Sequence, residues 1–307
     1  MKPTHSLLLS VALFSSSCSE EDTASKNPRT LQAQACAKNY LLVSGEPSFC
    51  VSKLEMKCAE DETGQNCGNE ALPKATFKNQ PWVNISRDDA KKACSRLGKG
   101  YSLINNSQWM TIARAIEINE KNWVEKEEGA KRIKKYYRGH SDAVPDEALP
   151  AFEGSPYHLT ESPKENDTGW EQRRTLFINE TEEIWDFAGN VWEWLADDYT
   201  DLGIEEPLGT PIDINDVNKK YTFEFDKLAE NNVDKIGPLN REFNKKNNVG
   251  YAVINGVGNT VLRGGYWNNG DNSGIYRIDI QYHKSPNDTQ QEQKYDGFRC
   301  VHELFKK

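Results

Sequence analysis

Two carboxylates lie within the most aromatic run of this sequence, one on each side of a Gly-Asn pair. The run from Trp185 to Trp194 contains three of the eight tryptophans, and a Gly-Asn pair interrupts it between Asp186 and Glu193. Gly-Asn between apolar residues predicts a tight turn, because both residue types accept backbone conformations that most residues avoid. One interpretation is a buried strand and turn whose carboxylates accept hydrogen bonds from backbone amides. The other adds a bound cation, because carboxylate and carbonyl oxygens are the ligands that hard cations prefer.

Cysteines are the second group that could do chemistry, and their meaning depends on the compartment. Residues 1–17 combine a lysine, a short apolar run and a run of three serines at 15–17, which is typical of an export signal. The small residues directly before Cys18 resemble the lipobox of bacterial lipoproteins. We therefore expect residues 1–17 to be a signal peptide and Cys18 to carry lipid. An ordinary cleaved signal peptide is the alternative.

Export places the other cysteines in an oxidising compartment. An even number of cysteines there favours disulfide bonds over free thiols. Metal binding by thiolates is the rival interpretation, but the sequence has no Cys-x-x-Cys spacing. The six cysteines are Cys36, Cys50, Cys58, Cys67, Cys94 and Cys300.

The elements that would position these groups are short. Ser86 predicts the N-cap of a helix that ends at Gly98, and Ser107 predicts the cap of a second helix. Residues 120–180 are polar with scattered glycine and proline, so we expect loops there. The basic cluster at 131–138 follows three glutamates and indicates a solvated helix face. Two helices near the front and strands spread along the chain predict an α+β fold.

Charge and composition limit the partners and divide the chain. A formal net charge of -9 without a basic stripe argues against nucleic acid. Residues 18–39 are rich in Ser, Glu, Asp, Asn and Gln, and predict a lipid-anchored polar tether. Residues 40–305 then form a single folded domain.

Three separated blocks resemble the formylglycine-generating enzyme, or sulfatase-modifying factor, family. The first runs from Ala90 to Arg114, where Tyr-Ser-Leu-Ile-Asn-Asn-Ser-Gln-Trp stands in place of the usual Leu-Pro-Thr-Glu-Ala-Glu-Trp. The second is Gly189–Trp194, and the third combines Arg263–Trp267 with Gly297–Val301. Their order and spacing fit the family over residues 45 to 303.

The resemblance implies a fold and a disulfide. The family has a coil-rich variant of the C-type-lectin-like fold, in which the first helix is often tied to the last strand. That implies a Cys94–Cys300 bond here. Proximity in the sequence then suggests Cys36–Cys50 and Cys58–Cys67 for the remaining cysteines.

The resemblance also implies a structural calcium ion at the Gly-Asn turn. The matching ligands are the carboxylates of Asp186 and Glu193 and the carbonyls of Gly189 and Val191. Calcium takes six to eight oxygens, so water would complete the shell.

The chemistry of the family's enzymes does not carry over. Formylglycine-generating enzymes bind copper through two cysteines just after the Arg-Gly-Gly block, but this chain has no cysteine between Cys94 and Cys300. Related iron enzymes use a histidine-rich helix bundle, and no His-x3-His spacing occurs here. We therefore expect neither copper nor iron.

The sequence favours a non-catalytic ligand-binding or adhesion module at the bacterial cell envelope, at the outer membrane or cell surface. Aromatic side chains among adaptable polar residues suit recognition of an envelope or extracellular ligand. One alternative is an oxidoreductase of the same superfamily with altered chemistry, and another is a structural envelope lipoprotein. The candidate ligand-binding residues are Tyr266, Trp267, Asn269, Asp271, Tyr276 and Arg277.

Overall fold

The computed structural model describes residues 36–68, 70–155, 157–158, 169–204, 220–255, 259–281 and 293–304. The predicted signal peptide, Cys18 and most of the predicted tether lie outside these residues. Among the helices of the described ranges, none is long and apolar enough to cross a membrane.

Three α-helices occur in the described residues: α1 (Arg87–Ser95), α2 (Asn106–Ile118) and α3 (Glu230–Ile236). Ser86 caps α1 as predicted, its side chain accepting a hydrogen bond from the Asp89 amide at 3.1 Å. The predicted cap of α2 at Ser107 is wrong. Asn105 caps that helix, because its side chain and that of Gln108 each bond to the other's backbone amide in a capping box.

The strands are short, and long coil segments connect them. In the described residues they are β1 (Tyr40–Val43), β2 (Phe49–Ser52), β3 (Lys57–Cys58), β4 (Pro73–Lys74), β5 (Tyr101–Leu103), β6 (Trp123–Glu128), β7 (Lys131–Tyr136), β8 (Thr175–Phe177), β9 (Glu183–Trp185), β10 (Trp192–Asp198), β11 (Lys220–Phe223), β12 (Ala252–Asn255), β13 (Thr260–Arg263), β14 (Ile278–Gln281), β15 (Asp296–Phe298) and β16 (Cys300–Glu303).

Two larger sheets organise the fold. One has the strand order β1-β2-β16-β5, so the last strand pairs between strands from the front of the chain. The other has the order β11-β12-β14-β13-β10-β15, and β10 lies between β13 and β15. Strand β10 therefore brings the second half of the aromatic run beside both parts of the third family block. The pairs β3-β4, β6-β7 and β8-β9 form small two-stranded sheets.

The prediction of loops across residues 120–180, with a helix face at 131–138, is wrong for the hairpin β6-β7. Its register places Glu125 opposite Lys134 and Glu127 opposite Arg132. The acidic strand and the basic strand thus attract each other across the pair. The acidic run and the basic run together indicate a hairpin, because they can pair as antiparallel strands. The basic run considered alone suggests a helix.

Buried aromatic side chains centre the core on α2 and the Gly-Asn turn. The ring of Trp109 stacks on Phe187 at 3.9 Å between centroids, and its indole N–H donates to the Ile275 carbonyl at 2.8 Å. Trp109 and Phe187 are both fully buried. Helices and many small sheets joined by coil confirm the predicted α+β, coil-rich fold.

Three disulfide bonds close the domain in the expected pattern. Cys94 of α1 joins Cys300 of β16 across a sequence separation of 206 residues. The other bonds lie near the start of the described chain and are Cys36–Cys50 and Cys58–Cys67.

Candidate functional site

The Gly-Asn turn connects β9 to β10, and its backbone geometry requires glycine at one position. Gly189 has φ +75°, and a Cβ atom there would lie 2.4 Å from the carbonyl oxygen of His140. The Gly189 amide donates to the carbonyl of Gly264, and the Asn190 amide donates to that of His140. The turn is thus bonded directly to the Arg-Gly-Gly block and to the segment at residue 140.

The Asn190 side chain fastens the turn to the strand region near the N-terminus. Its Nδ2 donates to a carboxylate oxygen of Glu55 at 2.6 Å and to the Leu149 carbonyl at 3.1 Å. Its Oδ1 accepts from the Leu149 amide at 2.8 Å. Glu55 also accepts from the Val191 amide at 3.2 Å. Glu55 therefore receives hydrogen bonds from two consecutive residues of the turn.

Asp186, the first predicted calcium ligand, lies in an ion pair with Arg174. The Nε and Nη2 atoms of Arg174 each lie 2.6 Å from a different oxygen of the Asp186 carboxylate. Both side chains are buried, with 1% exposure each. The guanidinium also donates to the carbonyls of Pro150 and Leu149 at 2.9 and 3.0 Å.

Glu193, the other predicted carboxylate ligand, pairs in the same way with Arg299. The Nη2 of Arg299 lies 2.6 Å from Oε1 of Glu193, and its Nε lies 3.0 Å from Oε2. The remaining N–H groups donate to the carbonyls of Ser52 and Trp185, each at 2.9 Å. Burial raises the pKa of Glu193, and attraction to Arg299 opposes that shift.

A third buried pair, Glu55 and Lys57, completes this charge cluster. The Lys57 ammonium lies 3.8 Å from the Glu55 carboxylate, and both side chains have 0% exposure. The Lys57 nitrogen has no hydrogen-bond partner among the described residues. Burial raises the pKa of Glu55 to about 8, with repulsion from Asp186 adding to the shift, and burial lowers the pKa of Lys57 to about 8. Three carboxyl groups and three basic side chains thus share one interior region.

The predicted calcium ligands do not fit calcium in this arrangement. Calcium needs carboxylate oxygens that are free to coordinate, but those of Asp186 and Glu193 are held by guanidinium groups. An ion at this turn would have to displace two buried arginines. Across the described ranges, moreover, no three His, Cys, Asp or Glu side chains are grouped so that they could hold a metal.

Each cysteine and histidine side chain of the described residues has a partner of its own. All six cysteines after Cys18 are in disulfide bonds, so none of them offers a thiolate. His140 bonds to the Glu147 carbonyl, and burial lowers its pKa. His158 lies 3.0 Å from Glu183, and His302 stacks on Tyr101. His283 lies outside the described residues.

The six candidate ligand-binding residues divide by burial. Tyr276 is fully buried, and its hydroxyl lies 2.5 Å from the Glu117 carboxylate. Arg277 is 3% exposed and pairs with Asp279. These two residues support the fold and present no contact surface. Asn269 also has a structural role, because its side-chain oxygen accepts from the Tyr266 amide at 2.9 Å.

The other candidates lie at or near the surface. Asp271 is exposed and pairs with Lys245 at 3.3 Å. Tyr266 is half-buried, and its ring lies 4.6 Å from that of the half-buried Tyr295. Trp267 is 7% exposed and meets Tyr295 edge-on at 4.7 Å.

We call Tyr266, Trp267 and Tyr295, with Asp146 and Lys294, the tyrosine patch. Asp146 accepts a hydrogen bond from the Trp267 indole at 3.0 Å, and the exposed Lys294 lies over the Tyr295 ring at 4.6 Å. The pKa of Tyr266 is raised by burial first, then by Tyr295 and Asp146. Tyr266 therefore keeps its hydroxyl proton at neutral pH and offers both a donor and an acceptor.

Sequence reasoning missed several residues that complete these sites. Arg174, Glu55 and Lys57 lie in segments without a motif. A lone arginine or lysine in a polar stretch is usually solvated. The one signal for Arg299 was its place in Gly297–Val301, and nothing there paired it with Glu193.

A family model matches most of this chain. The family model of the sulfatase-modifying factor enzyme 1-like domain matches residues 29–304. Comparison with curated proteins gave no match. Among solved structures, the chain is similar to PvdO from Pseudomonas aeruginosa, with 14% identity, a TM-score of 0.38, and coverage of 84% of this chain and 81% of that one.

Proposed function

We propose that this chain, which belongs to the sulfatase-modifying factor enzyme 1-like domain family, binds a ligand without catalysis. In this proposal it is exported and anchored to the bacterial envelope by lipid on Cys18. The tether then holds the domain at the outer membrane or cell surface, where it meets envelope or extracellular ligands.

The tyrosine patch is the observation that carries the proposal. Two half-exposed tyrosines rest on buried tryptophans, since Trp192 stacks beneath Tyr266 at 6.4 Å and Trp267 packs against Tyr295. Such a backing limits the rotamers of Tyr266 and Tyr295, so little entropy is lost when a ligand binds. Asp146 and Lys294 add one charge of each sign beside the rings. The patch therefore suits a ligand that combines a flat apolar face with polar groups.

The cysteines support binding over the family's copper chemistry. That chemistry needs two thiols near the Arg-Gly-Gly block, where this chain has Asn268, Asn269 and Asn272 among other polar residues. The nearest cysteine in the sequence, Cys300, is joined to Cys94. Copper binding of the family's kind needs thiolate ligands, and this part of the sequence has no cysteine to supply them.

Disulfide bonding supports export. Three disulfides in one domain are typical of proteins that fold in an oxidising compartment, and rare in the cytosol. The sequence of residues 1–18 provides the signal and the acceptor cysteine for this route.

The experiment is a binding screen of the full chain on glycan and peptide arrays. It compares the wild type with the double variant Tyr266→Ala/Tyr295→Ala. Loss of two aromatic anchors of a contact surface is expected to weaken binding at least about 30-fold. Phe152→Ala is the matched control, because Phe152 is an aromatic residue with 62% exposure that is not part of the tyrosine patch. Equal binding by the wild type and the double variant would refute the assignment of the patch.

A further inference from the structure

We infer that Arg174 is a built-in replacement for the calcium ion that the family resemblance implies at the Gly-Asn turn. The inference concerns how this chain holds its central turn. It is independent of the proposed ligand and of the tyrosine patch.

The oxygen atoms around Arg174 are of the types that calcium binds, and one of the groups, the Asp186 carboxylate, belongs to the implied calcium set. The guanidinium binds both oxygens of the Asp186 carboxylate at 2.6 Å. It also binds two backbone carbonyls, those of Pro150 and Leu149, at 2.9 and 3.0 Å. One carboxylate and neighbouring carbonyls are a common calcium ligand set. The five N–H donors of arginine satisfy the same oxygens while the positive charge stays covalently attached.

Position supports a cation-like role for Arg174. Leu149 and Pro150 belong to the segment that also binds the Asn190 side chain, and the Asp186 amide donates to the Arg174 carbonyl at 2.7 Å. Arg174 therefore joins the start of the Gly-Asn turn to the loop that covers it. A structural cation at the turn would make the same connection.

The charge of the region leaves little need for a divalent ion. The Asp186 and Glu193 carboxylates are already opposed by the guanidinium groups of Arg174 and Arg299, and all four side chains are buried. Adding calcium would give this interior an excess of positive charge. It would also separate at least one buried guanidinium from its carboxylate, which is strongly unfavourable.

The first test measures the melting temperature of the full wild-type chain in millimolar calcium chloride and in EGTA. The inference predicts the same melting temperature in both buffers, and no heat of calcium binding by calorimetry. A melting temperature that rises with calcium, together with a measurable binding heat, would overturn it.

The second test removes the guanidinium. Arg174→Gly leaves the Asp186 carboxylate and two carbonyls around a space of guanidinium size, so the variant is expected to melt at a lower temperature and to regain part of the loss in calcium. Arg173→Gly is the matched control. Arg173 is also buried, but its described hydrogen bonds go to Thr175 and the Lys121 carbonyl, so calcium should not restore that variant.

Each outcome of this pair is decisive. A variant Arg174→Gly that is as stable as the wild type would refute the inference. A destabilised Arg174→Gly that ignores calcium would also refute it, because Arg174 would then be an ordinary buried ion pair. If Arg174→Gly does not fold in either buffer, calcium has failed to replace the guanidinium, and the inference is refuted as well.

Discussion

Replacing Arg299 by methionine should cost more stability than almost any other single change in this chain. The guanidinium holds the Glu193 carboxylate through contacts of 2.6, 3.0 and 3.2 Å, and the side chains of Arg299 and Glu193 are 0% and 1% exposed. It also satisfies the carbonyls of Ser52 and Trp185. The variant Arg299→Met leaves a buried carboxylate and two carbonyls without these donors.

Breaking a buried pair by removing one partner costs about 3–5 kcal/mol. A domain of this size loses roughly 2–4 °C of melting temperature per kcal/mol, so the expected drop is about 6–20 °C. Urea unfolding followed by tryptophan fluorescence measures the free energy, and calorimetry measures the melting temperature. The matched control is Arg241→Met, because Arg241 pairs with Asp234 at the surface and should lose at most about 1 kcal/mol.

A second variant separates a broken pair from lost packing. Arg299→Met/Glu193→Leu removes both charges together, and should be more stable than Arg299→Met alone because no unpaired carboxylate remains. If Arg299→Met stays within about 1 kcal/mol of the wild type, the pair is not a main support of the turn. A double variant less stable than the single variant would point to packing instead of charge.

Three further changes test other parts of the structure. Cys94→Ala/Cys300→Ala should lower the free energy of unfolding by about 3–5 kcal/mol, because the disulfide closes a long loop, and urea unfolding measures it. Tyr276→Phe should lower it by about 1.5–3 kcal/mol in the same assay, because a buried hydrogen bond to Glu117 is lost. Glu55, whose pKa burial raises from 4.5 to about 8, binds its proton more tightly when folded, so its contribution is present below pH 4.5 and fades towards pH 8. Glu55→Gln should therefore flatten the fall in wild-type stability between pH 5 and pH 7.5.

The sequence motifs predicted the fold because their residue types depend on the local backbone conformation. The Gly-Asn pair needed a left-handed backbone, and Gly189 indeed has φ +75° beside the His140 carbonyl. The pairing of Cys94 with Cys300 followed from a family resemblance, since nothing nearby in sequence relates these two residues.

Charge partners were beyond sequence reasoning because they come from distant segments. Asp186 and Glu193 were interpreted as metal ligands, and the buried cations beside them lie 12 residues upstream and 106 residues downstream. Nothing local marks Arg174 or Arg299 as buried, since arginine is usually exposed. The same reasoning explains the hairpin β6-β7, where two oppositely charged runs are informative only as a pair.

Two of the predicted ligand-binding residues are buried, because they contact residues that are distant from the predicted surface stretch or face inward beside it. Tyr276 and Arg277 belong to a polar, aromatic stretch that suits recognition, yet both point inward, to Glu117 and Asp279. Tyr295 belongs to the same aromatic stretch, residues 266–296, but no local signal pairs its ring with that of Tyr266. A binding surface therefore had to be assembled from the fold.

The central claim is that this chain keeps the family's fold without its thiol-dependent oxidation, and one measurement tests it most directly. The full chain is incubated with copper, oxygen and a cysteine-containing sulfatase peptide, and the peptide is analysed by mass spectrometry beside a formylglycine-generating enzyme as positive control. With every cysteine after Cys18 in a disulfide, we predict an unchanged peptide with this chain and an aldehyde product with the control. Aldehyde formed by this chain would contradict the account.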